Sequence, residues 1–204
     1  IRKHVPKLDA KYLDPNINTL DRQIGHSEVL LGALISGLTN VVAFTVDELG
    51  HRYTGIPGIE GEKVNMHDVG HNKSIGGLSA ETIRERARTH HMKVIDRIVK
   101  RLKSVPEGDG TMFDNTMLFY LPDGGETHHS HGWEYPFIIL SGDNARVDLR
   151  RRYIRLPNYG QPGHSTLGNF YTTLLNAYGN SIEHYGALDT GLTKFGHGQT
   201  GSIK

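Results

Sequence analysis

The sequence predicts an α/β fold, a mainly parallel sheet flanked by helices, and three observations support this prediction. Stretches with apolar residues at helical spacing alternate along the chain with short, uninterrupted apolar runs. Runs of that kind are typical of strands buried on both faces of a parallel sheet. Acidic residues and histidines collect directly after the predicted strands, which is where ligands bind in such sheets.

Three helices are predicted from periodicity and capping residues. The first covers about residues 19–36 and places Leu20, Ile24, Leu31, Leu34, Ile35 and Leu38 on one stripe. Ser79 is the predicted N-cap of the second helix, which continues to Leu102 with Ile83, Ala87, His91, Ile95, Ile98 and Leu102 facing inward. Ser165 or Thr166 is the predicted cap of the third helix, and Gly179 is its predicted stop.

Three buried strands are predicted from the apolar, β-rich runs at residues 41–46, 116–121 and 136–140. A long glycine-punctuated stretch, 47–77, separates the first strand from the second helix. Residues 106–110 are a predicted loop, because they combine proline, glycine and aspartate.

The chain of 204 residues has the length of a single α/β domain or of a fragment of one. Residues 1–18 are expected to form an extended lead-in, and residues 193–204 a tail. Because the chain opens at Ile1 without a methionine, we interpret it as a piece of a longer polypeptide. The remaining part of that polypeptide, or a partner subunit, is therefore an expected partner.

Composition excludes several classes of function. With 23 Lys and Arg against 22 Asp and Glu, the charge is too even for a protein that wraps nucleic acid or for a polybasic membrane-binding protein. No run approaches the roughly 20 apolar residues of a membrane span. Cysteine is absent, which excludes disulfides and thiolate zinc sites, whereas 13 histidines favour metal binding or acid–base chemistry.

Two histidine clusters follow predicted strands. The first contains His67 and His71, whose i, i+4 spacing lets both rings face one cation. The second combines two carboxylates with three histidines, namely Asp123, Glu126, His128, His129 and His131. Imidazoles together with carboxylates suit divalent metal ions, zinc first, with calcium, manganese or iron as alternatives.

A structural interpretation competes with this one, because i, i+4 histidine pairs are common by chance. Isolated histidines are usually structural, and we interpret His4, His26, His184 and His197 in that way. The same interpretation is favoured for the adjacent pair His90 and His91, which lies in the middle of the second predicted helix.

Five arginines crowd the ten residues from 146 to 155. Arginine forks bind phosphate, sulfate or carboxylate groups, so Arg150 and Arg151, together with His164, are candidate contacts for an anionic substrate. A solvated loop or a partner surface explains the same arginines and is the favoured interpretation.

Five stretches of the sequence carry a resemblance to a known family. They are residues 38–42, 67–72, 109–116, 136–142 and 167–175, and with their surroundings they cover about residues 20 to 192. In this order they resemble the carboxyl-terminal half of the HXXSHH family, a bacterial domain of unknown function. The name-giving motif departs here, with Gly70 for its serine and Asn72 for its last histidine.

The layout of that family is in turn similar to alkaline-phosphatase-like hydrolases, which include phosphatases and sulfatases. This second resemblance implies that His67, His71 and His131 bind one metal and that Asp123 serves a second, although Gly124 stands where a ligand is expected. It also implies a nucleophile in an amino-terminal half that this chain does not contain. Membership of the HXXSHH family implies export, to the periplasm or outside the cell.

Three functional hypotheses follow. The leading one is a metal-binding domain of an exported hydrolase-like protein that acts on a small or polymeric phosphate or sulfate ester. The alternative is a catalytically degenerate structural or assembly subunit, favoured by Gly70, Asn72 and Gly124. A metal-dependent redox protein ranks third, since His67, His71 and a carboxylate also suit iron.

Overall fold

A computed structural model describes residues 2–46, 51–122, 135–194 and 200–203. The chain divides into two compact units, unit 1 ending at Asp114 and unit 2 beginning at Asn115. Within the described ranges, no helix is both long enough and apolar enough to cross a membrane.

Unit 1 is built on two long helices, α1 (Thr19–Ile35) and α3 (Ala80–Lys103). Between them the chain forms the antiparallel strand pair β1 (Arg52–Tyr53) and β2 (Val64–Asn65), followed by the short helix α2 (Met66–Gly70). A second antiparallel pair, β3 (Pro106–Glu107) with β4 (Gly110–Thr111), follows α3. Three 3-10 turns, Arg2–His4, Ala10–Leu13 and Met112–Asn115, complete the elements, so residues 1–18 contain two of these turns.

The second predicted helix is confirmed as α3. The Ser79 hydroxyl accepts a hydrogen bond from the Thr82 amide at 3.2 Å and caps the helix, as predicted. The residues predicted to face inward are buried, with the exception of Ile95. Val94, the residue before it, is buried instead. The buried side of this helix includes His91, which is only 5% exposed.

The core-facing side of α1 is more polar than its apolar stripe predicts. Leu20, Leu31 and Ile35 are buried as predicted, but α1 ends at Ile35 and Leu38 is 82% exposed. Three polar residues of α1 are buried instead, namely Gln23, Ser27 and Glu28. Each has a polar contact: Gln23 with Tyr53 and Val46, Ser27 with the Ile24 carbonyl, and Glu28 with Arg97.

The apolar core of unit 1 is gathered around the segment between the two long helices. Its buried members are Leu20, Tyr53, Ile56, Ile59, Val64, Val69, Ala80 and Ile83, with Met66, Ile75 and Leu78 packed against them. Since Val69 belongs to α2, this core anchors the helix that carries the first histidine cluster.

The predicted buried strand at residues 41–46 is wrong. This stretch forms no strand, and Val41 is 82% exposed. The Val46 carbonyl accepts hydrogen bonds from the side chains of Gln23 and Tyr53. An apolar run becomes a strand only when another strand supplies its hydrogen-bonding partners, and none does so here among the described residues.

The described residues of unit 2 form a strand pair and two helices. Strand β5 (Met117–Tyr120) pairs antiparallel with β6 (Ile138–Ser141), and helices α4 (Leu167–Ala177) and α5 (Thr190–Thr193) follow. Thr166 caps α4 in a reciprocal capping box with Asn169, so the predicted third helix is confirmed. Phe170 of α4 packs its ring against Phe119 and Phe137, at centroid distances of 5.6 and 5.0 Å.

The prediction that the chain contains both helices and strands is confirmed. The predicted mainly parallel sheet is not found among the described residues. Every sheet formed by the described residues consists of only two strands, and these strands are antiparallel. The predicted second and third strands exist as β5 and β6, and they pair with each other in opposite directions. A short apolar run does not encode the direction of its partner, which explains the difference. The alkaline-phosphatase-like layout is therefore not supported by the described structure.

Candidate functional site

His67 and His71 lie together on α2 and at its end. Asn65 caps this helix by accepting a hydrogen bond from the His67 amide at 3.0 Å, and His71 is the C-terminal cap residue. The two imidazole rings stand edge to face, with their centroids 4.9 Å apart. His67 is half-buried and His71 is exposed, so the pair is open to solvent on the side of His71.

Arg84 fixes the chain where α2 ends. Its guanidinium donates to the Val69 carbonyl at 2.7 Å and to the Asn72 side-chain oxygen at 3.1 Å. Asn72 has a φ of 62°, a left-handed conformation that asparagine tolerates better than most residues. Asn72 thus has a structural role, since this residue turns the chain after α2 and accepts a hydrogen bond from α3.

Replacing Arg84 by methionine should lower the free energy of unfolding by about 1–2 kcal/mol, because two hydrogen bonds from a charged donor are lost. Arg88→Met is the matched control, one turn further along α3 at an exposed position, and should change stability by less than about 0.5 kcal/mol. Urea unfolding measures both effects, and amide exchange at Asn72 should accelerate only in the Arg84 variant. Equal effects of the two substitutions would contradict this role for Arg84.

Unit 1 offers no complete metal site of its own among the residues that the structure describes. Asp68 is the carboxylate nearest in sequence to the histidine pair, and it forms an ion pair with Lys73 at 3.2 Å. The described residues contain no group of three or more histidine, aspartate or glutamate side chains arranged to hold a metal. The predicted further ligands, Asp123, His128, His129 and His131, lie outside the described residues.

Arg150 is engaged by neighbouring carboxylates. It forms ion pairs with Asp143 and, at 3.1 Å, with Asp148. Its hydrogen bond to Asp148 raises the pKa of Arg150, and the same bond lowers the pKa of the Asp148 carboxyl. An anionic substrate at Arg150 would therefore have to compete with these two carboxylates.

His164 and Arg151 have different surroundings in unit 2. A ring nitrogen of His164, Nδ1, lies 2.9 Å from the Pro157 carbonyl, and a backbone carbonyl only accepts, so Nδ1 carries the proton in this contact. The Nε2 atom of neutral His164 then has its lone pair available. Arg151 is exposed and has a φ of 56°.

Sequence reasoning did not single out Tyr159, which lies beside His164, or Asp189, which contacts Tyr159. The Tyr159 ring is 5.5 Å from the His164 ring, and its hydroxyl donates to Asp189 at 2.9 Å. Burial raises the pKa of Tyr159, and the Asp189 carboxylate adds to the effect. The only local signal is Asp189 ahead of Thr190 and Gly191, a pattern typical of a helix cap, and Asp189 does cap α5.

A cleft of about 300 Å³ lies elsewhere in unit 1, along α3. Its lining includes Leu20, Pro57, Arg86, His90 and Lys93, but neither His67 nor His71. Burial lowers the pKa of His90, although its ring hydrogen-bonds the Leu20 backbone. The cleft and the histidine pair are thus separate features of the unit.

Comparison with known proteins identifies no relative: no family model, no curated protein and no solved structure matches this chain. The resemblance to the HXXSHH family therefore remains a prediction from the sequence motifs.

Proposed function

We propose that this chain is the metal-binding part of an exported hydrolase-like protein that acts on phosphate or sulfate esters. His67 and His71 are its proposed metal ligands in unit 1. The observation that carries the proposal is the 4.9 Å separation of their rings.

That separation suits two ligands of one ion. With zinc–nitrogen bonds of about 2.0–2.1 Å, two imidazoles at a tetrahedral angle have ring centroids about 5 Å apart. A simple edge-to-face ring contact has the same range of distances, about 4.5–7 Å, so a direct binding measurement must distinguish the two explanations. Zinc is the proposed metal, and calcium, manganese and iron are the alternatives.

The second histidine cluster is proposed as a further set of metal-binding donors. Asp123, His128, His129 and His131 supply carboxylate oxygen and imidazole nitrogen, the donors that complete zinc sites. A bound divalent ion would supply Lewis-acid polarisation of the ester. The chain's own contribution is to hold the ion through α2, whose position Val69 and Arg84 fix.

Anion recognition is proposed for unit 2. Arg151 is exposed and offers a guanidinium fork. His164 would contribute only in its doubly protonated form, in which Nε2 donates to the anion while Nδ1 donates to the Pro157 carbonyl. Arg150 would contribute only after exchanging one of its carboxylate partners. The HXXSHH resemblance supports an exported location and an ester substrate, with the nucleophile supplied by another part of the polypeptide or by a partner subunit.

Zinc binding tests the proposal directly. We expect the 204-residue chain to bind zinc in isothermal titration calorimetry, and His67→Ala or His71→Ala to weaken binding by at least about a hundredfold. His26→Ala is the matched control, because His26 is an exposed histidine on α1 of the same unit, and it should bind as the wild type does. Absence of zinc binding, or unchanged binding in both ligand variants, would refute the proposal.

The second candidate function is a degenerate structural or assembly subunit. Leu38 and Val41, both 82% exposed, favour it, because they leave apolar surface in water that a protein contact would bury. Sedimentation velocity distinguishes the candidates: self-association without zinc binding would support an assembly role, and a monomer that binds zinc would support the metal site.

A further inference from the structure

Residues 151–155 form an exposed basic and apolar segment in unit 2, here called the arginine arm. Its sequence is Arg151, Arg152, Tyr153, Ile154 and Arg155, and all five residues are exposed. Tyr153 is 91% exposed and Ile154 is 54% exposed. In the sequence, three arginines thus flank Tyr153 and Ile154, whose apolar side-chain surface is exposed to water.

Carboxylates near the arm are already engaged by another arginine. Asp143 and Asp148 both pair with Arg150, which lies just outside the arm. Among the described residues, neither Arg151 nor Arg152 forms an ion pair. The positive charge of Arg152 nevertheless contributes to the lowered pKa of the Asp148 carboxyl. The arm therefore presents a local positive charge, despite the near-zero net charge of the whole chain.

From this combination we infer that the arginine arm binds an anionic phospholipid surface. Tyrosine is suited to the bilayer interface, where its ring is buried and its hydroxyl stays hydrated. Transfer of the Ile154 side chain from water into this interface lowers the free energy, and the arginines are attracted to the negative headgroups. Binding of this kind is peripheral and requires no spanning helix.

Single-stranded nucleic acid fits the arm less well. It would use the Tyr153 ring for stacking and the arginines for phosphates, but it offers no apolar environment for Ile154. The inference rests on unit 2 alone; it shares Arg151 with the proposed anion contact but uses no residue of the proposed metal site.

Co-sedimentation with vesicles tests the inference. The 204-residue chain should bind phosphatidylcholine vesicles that contain phosphatidylserine and should not bind pure phosphatidylcholine vesicles. Each arginine near an anionic surface contributes about a fivefold increase in partitioning, so Arg151→Gln combined with Arg152→Gln should weaken binding about 25-fold. Tyr153→Ser should weaken it about tenfold by removing the inserted ring.

The matched control is Arg52→Gln combined with Arg88→Gln, which removes the same charge from exposed positions in unit 1. This control should retain nearly all of the binding, and raising the salt concentration should weaken binding by screening. Three results would each overturn the inference: equal binding to both kinds of vesicle, an equal loss in the control, or tighter binding to a single-stranded oligonucleotide than to the anionic vesicles.

Discussion

Replacing Ile83 by alanine is expected to lower the free energy of unfolding of unit 1 by about 2–5 kcal/mol. Ile83 is 0% exposed and belongs to the core cluster that contains Ile56, Val64 and Val69. Truncation removes buried methyl and methylene groups and leaves a cavity that its neighbours fill only in part. Because Val69 of α2 lies in the same cluster, the loss should also loosen the helix that carries the histidine pair.

Urea unfolding followed by far-ultraviolet circular dichroism measures this effect, since the two long helices α1 and α3 belong to unit 1. Ile83→Val is the graded control and should cost about 0.5–1.5 kcal/mol. Ile154→Ala makes the same chemical change at an exposed position and should cost less than about 0.5 kcal/mol. Similar losses at Ile83 and Ile154 would mean that the core does not lie around Ile83.

Helices of this chain could be predicted from sequence because their signals are local. Ser79 and Thr166 are capping residues directly before periodic apolar stretches, and both cap the helices predicted for them. The inward side of α3 follows from the spacing of its apolar residues alone. The prediction was less good for α1, where Gln23 and Glu28 are buried through partners distant in the chain, Tyr53 and Arg97.

Strand partners could not be predicted, since pairing depends on distant parts of the chain. The run at residues 41–46 has the composition of a buried strand, yet Val41 is exposed and the run pairs with no strand in the part of the chain that the structure describes. Strands β5 and β6 were predicted as strands, but their antiparallel pairing is a property of the folded chain. Apolar composition therefore indicates β-propensity without indicating a neighbour or its direction.

The proximity of His67 and His71 could be predicted from their spacing, whereas their role as metal ligands stays a prediction. Spacing of i, i+4 brings residues onto one side of a helix, and the rings of His67 and His71 are in contact on α2. The engagement of Arg150 by two aspartates and the contact of Tyr159 with Asp189 depend on the folded loops. Neither could be inferred from spacing, because loop geometry has no periodicity.

A second large effect is expected from pH, through His91. This residue is 5% exposed on the inner side of α3, and burial lowers the pKa of His91 to about 4, with His90 and Arg88 adding to the effect. The unfolded chain protonates this imidazole near the ordinary value of 6.5. Between these values the unfolded state binds more protons than the folded state, so acidification favours unfolding.

The free energy of unfolding should therefore be highest above about pH 6.5 and should fall as the pH decreases towards 4. From pH 7.5 to pH 5, His91 should lower the free energy of unfolding by about 2 kcal/mol. This figure follows because each pH unit between the two pKa values of His91 contributes about 1.4 kcal/mol. Urea unfolding at these two pH values should show this loss in the wild type. His91→Gln should reduce the loss by about 2 kcal/mol, because its neutral amide does not titrate.

His26→Gln is the matched control for this substitution. His26 is exposed on α1, so its replacement should leave the pH dependence of unfolding as it is in the wild type. His90 accounts for part of the pH dependence that remains in His91→Gln, since burial lowers the pKa of His90 as well. An undiminished loss of stability in His91→Gln would show that His91 is not held neutral in the folded protein.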